Sequence, residues 1–199
     1  MSKPNYRYLK AILWRLRKVG IYLHPLLIVR EALAPAEREI AIDAKFQYLQ
    51  LTEADLPDIQ QLRPTMDIER YRSFLQEGKL CFGLKDNGRL VANMWMDLKE
   101  IRSAYYKRPL KDHEAYLFDA FSDDEYRGQN LAPYLRLKCY GEARARGRSD
   151  VYSYTDFVNV PARRFKAKLG ARDVALVVYF ELFGGAGHSV TVWKYPQAR

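Results

Sequence analysis

Six residues suited to holding an anion stand together at Arg127-Gly128-Gln129-Asn130-Leu131-Ala132. They follow a strand-forming run, Ala115 to Phe121, and a polar turn, Ser122 to Tyr126; they open a helix whose apolar residues are Leu131, Tyr134, Leu135, Leu137, Cys139 and Tyr140. A strand feeding a loop that opens directly into a helix leaves several backbone N–H groups unpaired and convergent at the positive end of the helix dipole. Such a site binds phosphate, and Arg127 adds a positive charge to it. Two carboxylates precede the cradle. Glu114 begins the strand, either as a solvated acid or as a base whose pKa burial would raise. Asp119 lies inside an apolar strand, where an acid is costly unless paired or functional. Their odd separation puts them on opposite faces of a regular strand, so only a bulge brings both to one cleft.

A second group lies downstream. Val151 to Thr155 reads as a strand carrying Tyr152 and Tyr154, and Asn159 then opens a helix containing Ala162, Arg163, Arg164, Lys166 and Leu169 before Gly170. Asn159 serves there as a cap or as a ligand, and Arg163 and Arg164 either meet phosphates or face water. His24, His113 and His188 lack metal-ligand spacing and no nucleophile elbow is present, so neither a metal site nor a covalent acyl-enzyme is expected.

Arg127, Gly128 and Ala132 at this spacing, with Asn159, Ala162, Leu169 and Gly170 farther on, resemble the GNAT (Gcn5-related N-acetyltransferase) superfamily over about residues 45 to 194. Asn130 stands where that family usually has Gly, a gentle exchange because Asn tolerates left-handed backbone best. The resemblance implies an α/β (α+β) fold with a mixed, strongly twisted sheet flanked by helices. It also implies acyl transfer, most simply acetyl from acetyl-CoA to a primary amine of a small molecule or protein, by direct attack in a ternary complex without a metal. In the family pattern the N–H groups of Gly128, Gln129, Asn130, Leu131 and Ala132 hold the pyrophosphate, and a bulge near Phe121 or Ser122 supplies an oxyanion contact. The Val151–Thr155 strand splays to admit pantetheine, whose amides meet Asn159, while Arg163 reaches the nucleotide phosphates. Glu114 occupies the position of the catalytic Glu of ribosomal-protein acetyltransferases, with Asp119 as the other candidate base. The usual proton-donating Tyr is replaced by Lys166, whose ammonium either stabilises thiolate charge or binds a donor phosphate; Tyr152 or Tyr154 either substitutes as donor or packs in the core. Two alternatives remain open: a long-chain acyltransferase drawing on an acidic acyl carrier protein, and a non-catalytic module that binds a coenzyme A ester.

The elements that must position these groups follow in order. At 199 residues the chain fits one domain, residues 45–199, with an appendage and linker over 1–44. The net charge of +9 is uneven: the first 30 residues hold seven Lys and Arg and no acid. This argues against a catalytic domain gripping nucleic acid along a broad face. Residues 6–18 form a basic amphipathic helix ending at Gly20, facing either water, an acidic partner or an anionic membrane surface. The apolar run 21–29 is too short to span a bilayer, which takes about 20 residues. No signal peptide is read there, Cys81 and Cys139 read as buried thiols, and a cytoplasmic protein is expected, with peripheral contact at the inner membrane surface left open. Phe46–Leu51 alternates as a strand, and Thr52 with Asp55 caps a helix holding Leu56, Ile59 and Leu62. A second helix spans about 67–76. Two strands meet across Asp86-Asn87-Gly88, followed by a loop over 99–112. Residues 175–183 and 189–195 close the chain as a hairpin.

Overall fold

The computed structural model describes residues 6–31 and 40–196. In chain order the elements are α1 (Arg7–Lys18), β1 (Ile21–Glu31), β2 (Phe46–Leu51), α2 (Leu56–Leu62), α3 (Ile68–Gln76), β3 (Leu80–Asp86), β4 (Arg89–Asp97), β5 (Glu100–Arg102), β6 (Lys107–Pro109), β7 (Glu114–Ser122), α4 (Leu131–Ala145), β8 (Asp150–Asp156), α5 (Val160–Lys168), β9 (Arg172–Leu182) and β10 (His188–Lys194). The fold is mixed α/β. It divides into two compact units, one of residues 33–100 and 109–152, the other of residues 1–32, 101–108 and 153–199.

In the first unit the strand order is β2-β3-β4-β7, with the opening residues of β8 beside β7. All pairs are antiparallel except β7 with β8, where Glu114–Tyr116 run parallel to Asp150–Tyr152. The predicted β3–β4 hairpin turns on Asn87 (φ 49°) and Gly88 (φ 82°), two positive φ values that make it the tight turn expected of Asn-Gly. Side chains alternate across the sheet. Phe82, Leu84, Met94, Met96 and Leu117 meet Leu131, Leu135, Cys139 and Tyr140 of α4. Cys81, Leu90 and Trp95 meet Leu56, Ile59, Leu62 and Tyr71 of α2 and α3. Each such fully buried side chain contributes roughly 1.5–3 kcal/mol. The two thiols therefore lie in separate clusters, and both are free. Thr52 caps as expected, its N–H and hydroxyl both donating to Asp55 Oδ2 at 3.0 and 3.1 Å.

The buried stripe of α4 is Leu131, Leu135, Arg136, Cys139, Tyr140 and Ala143, with regular helical spacing, and the half-buried Tyr134 and Leu137 pack against the same cluster. One sequence reading changes here. The span 99–112 is not a plain loop, since it holds the short strands β5 and β6, which pair with each other.

The second unit orders its strands β10-β9-β1, with the closing residues of β8 next to β1. Here the division at residue 44 must be corrected. Residues 21–30 are no appendage, because they pair antiparallel with β9 from Ile21–Leu182 to Arg30–Arg172. This largely apolar run, interrupted by His24 and Pro25, has its backbone groups satisfied in that ladder. Of the linker read at 31–43, residues 32–39 lie outside the described residues.

Candidate functional site

The cradle lies wholly in the first unit. Asp123 ends β7 and starts a short 3-10 turn, its Oδ1 accepting from the Glu125 N–H at 3.0 Å. Arg127 then returns to extended backbone, Gly128 takes φ 84° and Asn130 φ 59°, ψ 20°, before α4 starts at Leu131. Two left-handed residues so close together reverse the chain tightly, which is why a Gly and an Asn stand there. A Cβ on Gly128 would meet nothing within 4 Å, so its backbone conformation, not space, demands glycine.

Among the described residues, the N–H groups of Gly128, Asn130, Leu131 and Ala132 have no hydrogen-bond acceptor in the protein, whereas that of Gln129 reaches Tyr126 O at 3.4 Å. The first turn of α4 holds no acid, unlike those of α2 with Asp58 and α3 with Glu69. Its positive end is thus uncompensated and its donors open to an anion. The Arg127 guanidinium pairs with Asp124 at 2.6 Å, both largely exposed, a contact worth little and easily exchanged for a ligand.

The expected bulge is present, two residues earlier than anticipated. Trp95 pairs with Phe118 and Asn93 with Phe121, so the single residue Met94 stands opposite both Asp119 and Ala120. Asp119 adopts φ 47°. The positions without a ladder partner are therefore Asp119 and Ala120, while Phe121 and Ser122 are back in register with Asn93 and Ala92. Beside the bulge, Asn93 is fully buried and its Oδ1 has no protein partner.

The two carboxylates are not brought together. Glu114 is buried at the start of β7, where Oε2 accepts from the Lys111 N–H at 3.0 Å. Five strand residues, about 16 Å, separate it from the bulge. Asp119 has both oxygens engaged: Oδ1 accepts from Arg63 at 2.6 Å and Oδ2 from the Tyr71 hydroxyl at 2.9 Å. Burial first, then the neighbouring carboxylate, push the Tyr71 hydroxyl well above its ordinary pKa, so it stays a donor. Sequence reasoning missed Arg63 and Tyr71. The signal available was the apolar context of Asp119 itself, which requires a cation, but nothing local says that the cation lies 56 residues upstream.

This arrangement makes Asp119 an anchor of the bulge. Asp119→Asn would leave Arg63 without its countercharge, a loss of about 2 kcal/mol for a partly buried pair. A thermal melt should fall by roughly 4–8 °C. An unchanged melt with lost turnover would return Asp119 to the role of base.

The second unit holds the remaining candidates. Asn159 is the N-cap of α5, its Oδ1 accepting from the Ala162 N–H at 3.1 Å. Arg163 donates to the Tyr6 hydroxyl at 2.7 Å and the Phe157 carbonyl at 3.2 Å, and lies 3.6 Å from Asp173. It lines a cavity of about 320 Å³ with Tyr6, Val160 and Arg164. Lys166 is buried, donating to Ser153 Oγ at 2.7 Å and to the Tyr154 carbonyl at 2.8 Å; the Ser153 hydroxyl in turn donates to buried Glu31. An ammonium so enclosed spends its hydrogen bonds inside the fold. Tyr154 enters this network through its carbonyl.

No protein-family model matches the chain, and no curated protein matches its sequence. Solved structures do match. A GNAT-family protein from Novosphingobium aromaticivorans aligns over 80% of this chain and 65% of its own length, with TM-score 0.58 and 23% identity. The chain has the GNAT fold. A tandem GNAT protein from the clavulanic acid biosynthesis pathway aligns over 93% of this chain and 61% of its own, with TM-score 0.62 and 13% identity. The Escherichia coli ribosomal-protein-S18-alanine N-acetyltransferase aligns over 63% of this chain and 76% of its own, with TM-score 0.52 and 22% identity. The chain thus spans less than two thirds of the length of the first two GNAT structures.

Proposed function

We propose that the protein is a GNAT-type N-acyltransferase that moves an acetyl group from acetyl-CoA to a primary amine. The observation that carries this reading is the set of four unpartnered N–H groups at Gly128, Asn130, Leu131 and Ala132, at a helix end without acid. They suit the pyrophosphate of coenzyme A, with Gln129 spanning the turn and Arg127 released from Asp124 to add charge. A bulge in the same strand frees backbone around Asp119 and Ala120 to polarise a thioester carbonyl.

The neutral amine attacks the thioester carbon, the C–S bond breaks and an amide forms. The ammonium loses its proton before attack, and the leaving thiolate takes up the proton that the attacking nitrogen sheds as the amide forms. Glu114 is too distant from the bulge, and Asp119 too fully engaged, to be given the first of these transfers; solvent water carries that proton. The E. coli neighbour, named for an alanine of ribosomal protein S18, supports an amine acceptor.

Calorimetry of the full chain with acetyl-CoA, followed by thiol release with a panel of primary amines, tests the proposal. The buried Cys81 and Cys139 keep the background of a thiol reagent low. Saturable uptake and amine-dependent thiol release are expected. Absence of uptake for any coenzyme A species would overturn the donor site, and uptake without turnover would leave a binding module.

A further inference from the structure

Helix α1 buries none of its residues. Leu9, Leu13 and Leu16 are half-buried on the side toward β1, but Tyr8 (77% exposed), Ile12 (52%) and Val19 (60%) recur at helical spacing along an open stripe. Trp14 is 58% exposed as well, with the Lys18 ammonium 3.7 Å above its ring. In the same unit the β9–β10 tip presents Leu182 and Phe183, the latter 79% exposed, with its N–H donating to Gly20 O at 2.6 Å just past the helix. Open apolar side chains on this scale mark an interaction surface.

The charge selects the occupant. Around the helix Arg15 and Lys18 lie between Tyr8 and Trp14, with Lys10 and Arg17 beyond Trp14; α1 contains no acid, and none of the four has a carboxylate within ion-pair distance among the described residues. A second copy of this surface would bring like charges together. Phosphate headgroups over acyl chains satisfy both halves: Trp and Tyr rings settle at headgroup depth, and Lys and Arg stems lie along apolar surface while their heads reach phosphate. At 12 residues the helix is far short of a span. No helix among the described residues is long and apolar enough to cross a membrane.

We propose that α1 and the Leu182–Phe183 tip seat the protein on the surface of an anionic bilayer, with the helix lying in the interface. The proposal is independent of the acyl-transfer reading. Co-sedimentation of the full chain with phosphatidylcholine vesicles, with and without phosphatidylglycerol, tests it. Pelleting is expected with the anionic vesicles only, and should decline as salt is raised. Lys10→Gln with Arg15→Gln should weaken it about 30-fold, at about 1 kcal/mol per cation near the surface. Both positions are exposed, so an unaltered circular dichroism spectrum serves as the folding control. Failure to pellet with anionic vesicles overturns the proposal, as does equal binding of the double variant or retention on an acidic protein by a chain that ignores vesicles.

Discussion

Replacing Lys166 by Met lowers the stability of the protein by about 3–5 kcal/mol, the cost of removing one charged member from a buried hydrogen-bonded network. Lys166 donates to Ser153 Oγ and the Tyr154 carbonyl, and Ser153 passes a hydrogen bond to Glu31, which is 3% exposed. Without the ammonium, Ser153 Oγ and the Tyr154 carbonyl lose their buried donor while the Glu31 carboxylate stays in the interior at the far end of the same network. At this chain length the melting temperature should fall by roughly 6–20 °C. Adding Glu31→Gln to Lys166→Met removes the charge at the other end of the network and should recover more than half of the loss, since a neutral set of groups can replace a buried charged one at small cost. Thermal denaturation of the two single variants and the double variant checks this. If Lys166→Met melts like the parent and loses turnover instead, Lys166 is the proton donor at the place the family gives to Tyr.

Ala132→Glu separates stability from ligand binding in the opposite sense. A carboxylate in the first turn of α4 complements the helix dipole and should stabilise the fold by about 0.3–1 kcal/mol. The same charge faces the proposed pyrophosphate. At about 5 Å and an effective dielectric near 20, two like unit charges repel by about 3 kcal/mol, so acetyl-CoA affinity should drop on the order of 100-fold or more. Ala132→Gln, of similar size and neutral, should bind within a few-fold of the parent. Calorimetry on the three proteins measures the difference. Equal affinity in the Glu variant would show that the phosphates lie elsewhere, and the proposed donor site would fall with it.

Much was legible in the sequence because it is local. Alternation and 3.6-residue spacing mark β2, β3, β4, α2 and α3, Asn87-Gly88 dictates its own turn, and Asn130 signals a left-handed residue before α4 without help from any distant contact. The backbone of the proposed anion cradle belongs to this class, since a glycine, an asparagine and a helix start within five residues shape it locally. What needed tertiary structure was every pairing across sequence distance. Ile21–Arg30 reads as a stray apolar run until β9, some 150 residues later, supplies its ladder. The partners of Asp119 on α3 and at the end of α2, and the burial of Lys166 against Ser153, likewise come only with the tertiary structure. A residue's type states what it must have, a countercharge, an acceptor or an apolar neighbour; only packing determines which distant residue provides it, because those contacts are made through space after the chain has closed its long loops.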